Sequence, residues 1–171
     1  MVIGYSFYDN VIINKNPVFV GLKNYATVLS DPTFLVAIKN TLIFVLVSIV
    51  AHFLIGMLFA MLLNTRYLGM AAKGIFRVIY ALPWMFTASV IAIVWRMMLN
   101  PNGVLNYLMT NAGIISEKVE WLASRDVALS AVTVINIWSG YPFYMISILA
   151  GLQGISTDLY EASALDGANA V

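Results

Sequence analysis

Between Thr41 and Leu63 the chain runs for 23 residues with no formal charge beyond what His52 carries. An uncharged apolar stretch of that length is enough to cross the hydrocarbon of a bilayer as a helix. Two further stretches meet the same requirement: Val78–Trp95, which contains Pro83, and Val127–Leu152, which contains Asn136, Gly140 and Pro142. In lipid a backbone amide has no water to turn to, so each run has to close its own hydrogen bonds and is predicted to be helix, not strand. The expected fold class is therefore all-α, a polytopic helical membrane protein. Composition points the same way, since 61% of the residues are apolar and 10% charged, against roughly 45–50% and about 25% in a soluble domain. A chain of 171 residues cannot hide that much apolar surface in one core, and lipid is the simplest medium to cover it.

Several function classes drop out on the same grounds. Net charge is +1 with no basic stripe, so nucleic acid is not a partner. There is no cysteine, hence no disulfide and no thiolate metal site. No nucleophile–base pair or metal-ligand cluster falls within the spans, so no catalytic residue, metal or cofactor is assigned and the chain is read as a non-enzyme. It has no G-x-x-x-x-G-K-[ST] phosphate loop with which to hydrolyse ATP itself. All eight acids lie outside the three spans, which disfavours the alternative of an ion-coupled secondary carrier or channel-like protein.

Orientation follows from the bases. The connection Asn64–Arg77 carries Arg66, Lys73 and Arg77 and no acid, whereas Arg96–Asp126 mixes three bases with three acids. The first connection is therefore placed in the cytoplasm. The first span then runs outward to inward, the second returns, and the third ends inside, which leaves 153–171 in the cytoplasm. Residues 1–40 are expected to hold the far end of a preceding helix (Met1–Tyr8) and an external segment. In that segment Val20–Tyr25 and Asp31–Leu35 suit short interfacial helices. Asn100–Gly103 is a turn cluster where the chain leaves the lipid after the second span.

Within the spans, Pro83 and the Gly140–Pro142 triplet are expected to bend their helices, and bent helices are where transporters expose backbone groups to a polar cavity. Asn136 admits two readings, a hydrogen bond that glues helices together or a polar group on a water-filled path. Trp84 is either an interfacial anchor or an aromatic face on that path. His52, with no acid or second histidine nearby, is expected to bond a neighbouring helix. Gly56 and Ala60 have small-xxx-small spacing, a mark of close helix packing.

The most informative segment is Leu159–Val171, acidic, alanine-rich and polar beneath the third span. Asp158 and Glu161 have the spacing of a helix N-terminal capping pair. Ala162, Ser163, Ala164 and Ala168 strip the helix of bulk, so that another protein's backbone can approach, and Gly167 permits a change of direction. Capping and docking both remain open for Glu161 on these grounds.

Glu161, Ala162, Ser163, Asp166, Gly167 and Ala168 resemble the EAA loop of ABC importer permeases, with Ser163 where the second alanine usually stands. Val20–Tyr25, Tyr80–Trp84, Pro101–Asn106 and Asn136–Phe143 resemble, in order, segments of the carbohydrate-uptake branch of that family. These are the maltose and glycerol-phosphate type membrane subunits with a MetI-like fold. The resemblance implies that the chain is part of a six-helix type I permease core, truncated at both ends. It implies ATPase coupling through the EAA residues and a solute path lined by Trp84, Asn136 and Gly140. It also implies a dimer of cytoplasmic ATP-binding subunits, a second permease subunit and a periplasmic or extracellular solute-binding protein as partners. The location implied is a bacterial or archaeal plasma membrane.

Overall fold

The computed structural model describes residues 2–9, 16–65 and 67–168. Met1, 10–15, Arg66 and Asn169–Val171 lie outside the described residues, among them one base used for orientation and the last three residues of the Leu159–Val171 segment. The chain divides into two units, 1–45 and 46–171.

In the first unit a short helix α1 (Val2–Tyr5) precedes strand β1 (Tyr8–Asp9), which pairs antiparallel with β2 (Val18–Phe19), and helix α2 (Lys23–Ser30) follows. The Val20–Tyr25 segment acts as a staple. Gly21 takes a left-handed φ of +56°, which glycine adopts without a Cβ clash. Asn24 Nδ2 then donates to the carbonyls of Ser6 (3.0 Å) and Tyr8 (3.2 Å), and the Tyr25 ring lies 5.8 Å from that of Phe7. Asp31–Leu35, expected among short interfacial helices, is instead the start of a 33-residue helix α3 (Pro32–Asn64). The cause is local: Asp31 Oδ1 accepts from the Thr33 amide at 2.8 Å, and proline at the next position needs no amide partner in a first turn.

The second unit is organised by the packing of α3 on α7 (Ala128–Gln153). The buried residues of α3 are Ser48, His52, Gly56, Ala60 and Leu63, a stripe at spacings of four and then three that marks one helix face. Along this stripe His52 meets Asn136 and Gly140, Gly56 meets Tyr144 and Met145, and Ala60 and Leu63 close on Met145 and Leu149. Numbers rise together on both helices, so the two run parallel. Glycine is required at the first contact, where a Cβ on Gly56 would stand 2.7 Å from Tyr144 Cβ and 2.9 Å from the Met145 nitrogen; a Cβ on Gly140 would stand 2.5 Å from His52 Nε2 and would displace the His52 ring. The small-xxx-small spacing of Gly56 and Ala60 is thus a packing face. Only 17% of the most apolar window of α3 and 28% of that of α7 is buried within the chain. The remaining apolar surface needs lipid or other helices around it.

The stretch expected as a second span, 78–95, is divided between α4 (Met70–Met85) and α5 (Ala88–Met98), which meet at 90°. The break falls at Phe86 and Thr87, three residues beyond Pro83, which sits buried inside α4. Thr87 is extended, and its side chain accepts from the Val90 amide to start α5 afresh, so a hydroxyl cap fixes where the second half begins, while α4 runs two residues past the proline. Conversely, α7 passes through Gly140 and Pro142 as one helix, where a bend was expected. Both residues lie within its packed part, Gly140 under His52 and Pro142 buried. The pair α4–α5 docks on α7 through a hydrogen bond from Tyr141 Oη to the Tyr80 carbonyl (3.0 Å) and the Trp95–Trp138 contact (5.5 Å), and α4 meets α3 through the Phe59–Tyr80 stack (4.3 Å between centroids).

Beyond α5 a tight turn leads into α6 (Val104–Asn111). A Cβ on Gly103 would stand 2.5 Å from the Met97 carbonyl oxygen, so only glycine lets the turn close. Asn106, 1% exposed, is the hub of this connection. Its Nδ2 donates to the carbonyls of Asn100 (3.3 Å) and Val119 (2.8 Å), and its Oδ1 accepts from the Val119 amide and Trp121 Nε1, both at 3.1 Å.

Three outcomes follow for the protein in detergent. Gly56→Ala lowers stability by about 1–3 kcal/mol because backbone opposes the new methyl, seen as a drop in thermal midpoint. Gly74→Ala, with nothing within 4 Å of the added atom, leaves the midpoint level or higher. Asn106→Ala leaves the Val119 and Trp121 groups without their partner at a cost of about 1–3 kcal/mol, read as faster amide hydrogen exchange at Val119.

Candidate functional site

α7 ends at Gly154, and after Ile155 the chain starts helix α8 (Thr157–Leu165). Ser156 caps it: the residue is extended (φ −60°, ψ 139°) and its hydroxyl accepts from the Asp158 amide. Asp158 and Glu161 are therefore not the capping pair suggested by their spacing. Asp158 stands in the first turn, where its charge faces the positive end of the helix dipole. Glu161 lies a turn later, exposed, with no hydrogen bond or ion pair among the described residues. The capping reading of Glu161 is thereby removed.

The other end of α8 is closed as deliberately. Gly167, at φ +82°, donates to the Ala164 carbonyl (3.2 Å), and the Ala168 amide donates to that of Ser163 (3.0 Å). This pair of bonds is the Schellman arrangement, which needs a left-handed residue just past the helix end. It explains why glycine follows Asp166 here. Ser163 turns its hydroxyl back to the Tyr160 carbonyl at 2.9 Å, so it behaves as a small residue with no outward donor. No residue of α8 is buried, and Leu159 and Leu165 are 64% and 89% exposed. The result is a short helix satisfied at both termini that presents two leucines, alanines and an unpaired carboxylate to its surroundings.

The three residues expected to line a solute path are partly gathered. Asn136, Gly140 and Phe143 share one face of α7 by helical periodicity, and the exposed ring of Trp84 lies 6.3 Å from that of Phe143. Gly140, however, is covered by His52, whose Nε2 stands 3.0 Å from the Asn136 carbonyl oxygen. The bond between helices that was one reading of the Asn136 amide is made by its backbone and His52 instead. The Asn136 amide itself has no partner among the described residues. His52 also stacks on Tyr144 at 5.1 Å, the neighbouring-helix role expected of it. Asn106 and Thr87 were missed. The Asn within Pro101–Asn106 and the Ser/Thr/Asn preference at helix starts were the available signals. Among the described residues no group of His, Asp and Glu could hold a metal ion.

No family model matches the chain. It is 38% identical over 174 residues to a probable ABC transporter permease protein of Sinorhizobium fredii, covering 98% of this chain and 54% of that protein. It is 36% identical over 162 residues to the trehalose/maltose transport system permease protein MalF of Thermococcus litoralis, covering 94% and 53%. Among solved structures it is similar to a bacterial ABC transporter involved in the import of the acidic polysaccharide alginate. There the TM-score is 0.80 and the identity 25%, over 98% of this chain and 56% of that one. The chain spans about half the length of the relatives it matches. With sequence and fold agreeing along nearly all of its residues, the chain belongs to the permease proteins of ABC transporters.

Proposed function

We propose that this chain forms part of the transmembrane permease subunit of an ATP-driven importer, moving a sugar or related solute inward, and that α8 couples it to cytoplasmic ATP-binding subunits. The observation that carries the reading is α8 itself. It is capped at both ends by its own residues, wholly exposed, and bears Glu161 and Asp166 in the EAA-like pattern. A thin helix with apolar and acidic groups and nothing of its own to bind suits a cleft in another protein.

The parallel packing of α3 and α7 supports the membrane topology. If both cross in the same direction, the chain between them must cross back once, and α4–α5 is the apolar segment available to do it. That pair is then a broken span and not a loop that re-emerges on the side it entered, with 153–168 on the same side as the end of α3. A break in the bilayer interior is tolerated where neighbouring helices or a polar cavity satisfy the freed groups. Trp84, just before the break, the Phe143 ring beside it and the Asn136 side chain are the groups we assign to the path, with Gly140 as the point where the α3 seam closes over α7. A pair of ATP-binding subunits closing on nucleotide would move α8, and through the Gly154–Ile155 connection α7, against a second permease subunit. The cavity between them would then alternate between outward and inward exposure. A solute-binding protein delivers cargo from outside.

Glu161→Cys in the full-length subunit is expected to cross-link to the ATP-binding subunit, and more strongly in the nucleotide-bound state. Cross-linking confined to the external solute-binding protein would remove the proposal. Gly167→Ala forces a Cβ into the left-handed region at about 1–2 kcal/mol. It should lower solute-stimulated ATPase activity severalfold while the thermal midpoint of the membrane core stays put. Trp84→Ala should raise the transport KM with α8 cross-linking unchanged.

A further inference from the structure

The connection between α5 and α7 carries a cavity that the coupling and path residues do not use. Its volume is about 380 Å³, and its walls include Asn102, Tyr107, Thr110, Asn111, Ser116 and Lys118. The N-cap Gly103 and, on α6, Asn106, Tyr107, Thr110 and Asn111 all line it, at spacings of three and four that define one helix face. In an ordinary amphipathic helix the face turned toward a packed neighbour is apolar. Here the face turned toward the 116–118 segment is polar, and the apolar Leu105 and Leu108 fall off it. A helix that lines a cavity with an amide, a hydroxyl and a phenol is built to bond something other than its own chain.

The cavity is held open by structure beneath it. Asn106 spends its amide on Asn100, Val119 and Trp121, which fixes the 116–121 segment opposite α6. Lys118 Nζ donates to Asn102 Oδ1 at 2.6 Å across the mouth, leaving its remaining protons for a ligand. The Asn102 amide nitrogen in turn bonds Asn100 Oδ1 at 2.9 Å, so the partner of Lys118 is itself positioned. Tyr107, 67% exposed, offers a ring face at the rim, while Thr110, Asn111 and Ser116 supply both donors and acceptors.

From this arrangement we infer that the 101–118 cavity is a saccharide subsite, taking one or two hydroxyl-rich sugar units, with Lys118 placed to meet a carboxylate where the sugar is acidic. A volume near 380 Å³ is in the range of small-ligand sites, which run from roughly 300 Å³ upward. An aromatic face beside amides and hydroxyls matches the alternating apolar and polar faces of a pyranose. The inference rests on the proposed function, because the topology there puts residues 99–127 on the side from which solute arrives. The site would hold cargo outside the membrane before it reaches the Trp84–Asn136 region.

The test uses the full-length subunit assembled with its partner permease and ATP-binding subunits in lipid nanodiscs, with no solute-binding protein present. Binding of maltotetraose and of a tetrauronate is followed by saturation-transfer difference NMR. At least one of the two is expected to bind, and Tyr107→Ala and Asn111→Ala are each expected to weaken it about tenfold, equivalent to about 1.4 kcal/mol. Lys118→Gln weakens only the tetrauronate. Hydrogen exchange at Val119 serves as the folding control and should not change in any of the three variants. If neither saccharide binds, or if binding survives Tyr107→Ala and Asn111→Ala together at full strength, the subsite does not exist. Transport driven by the solute-binding protein separates the two ideas. Saccharide uptake without binding at 101–118 sinks the subsite alone, and a complex that pumps no saccharide sinks the function it rests on.

Discussion

The parallel contact of α3 with α7 is the constraint on which the rest of the second unit depends. It is possible only because Gly56 and Gly140 bring no side chain to the seam, so that Tyr144 and the Met145 backbone fill one gap and the His52 ring fills the other. In lipid there is little hydrophobic gain in pressing one apolar helix on another, so close approach, dispersion and interhelical hydrogen bonds must hold the pair. The bond between His52 Nε2 and the Asn136 carbonyl is of that kind. Around this seam the aromatic rings of Phe59, Tyr80 and Tyr141 attach α4 to both helices.

The direction of the seam also ties the two ends of the molecule's chemistry together. Because α3 and α7 run the same way, the end of α7 from which α8 hangs lies beside Leu63 and the end of α3. The connection with the Asn106 hub lies toward the opposite end, after α5 and before α7 begins. One end carries an exposed acidic helix, and the other a cavity lined with hydrogen-bonding groups. The bent pair α4–α5 joins them, so that the polar and charged features of the second unit concentrate at its two ends.

The sequence was legible where a single physical property dominated. Apolar runs without charge announced α3 and α7, since nothing but helix can satisfy a backbone in hydrocarbon. The turn after the second apolar run was legible from Asn-Pro-Asn-Gly. What stayed hidden depended on short-range competition between signals. Pro83 suggested a break, yet the break waits for Thr87, whose hydroxyl starts the next helix. Asp158 and Glu161 mimic a capping pair, yet Ser156, two residues earlier, is the residue with extended backbone and a free hydroxyl. Asp31–Leu35 suits a short interfacial helix because turn formers stand at its start, although the same Asp-Pro pair starts a long helix when apolar sequence follows. The role of Asn106 was out of reach because its partners at Val119 and Trp121 lie across a loop.

Helix α8 is only nine residues long, and isolated helices of that length are marginal in water. Ser156 at one end and the Gly167–Ala168 bonds at the other supply the order that length does not. A docking element that is folded beforehand gives up little conformational freedom on engagement. In the docking role proposed for α8, substitutions along its outward face tune grip strength without remaking the fold of the helix itself.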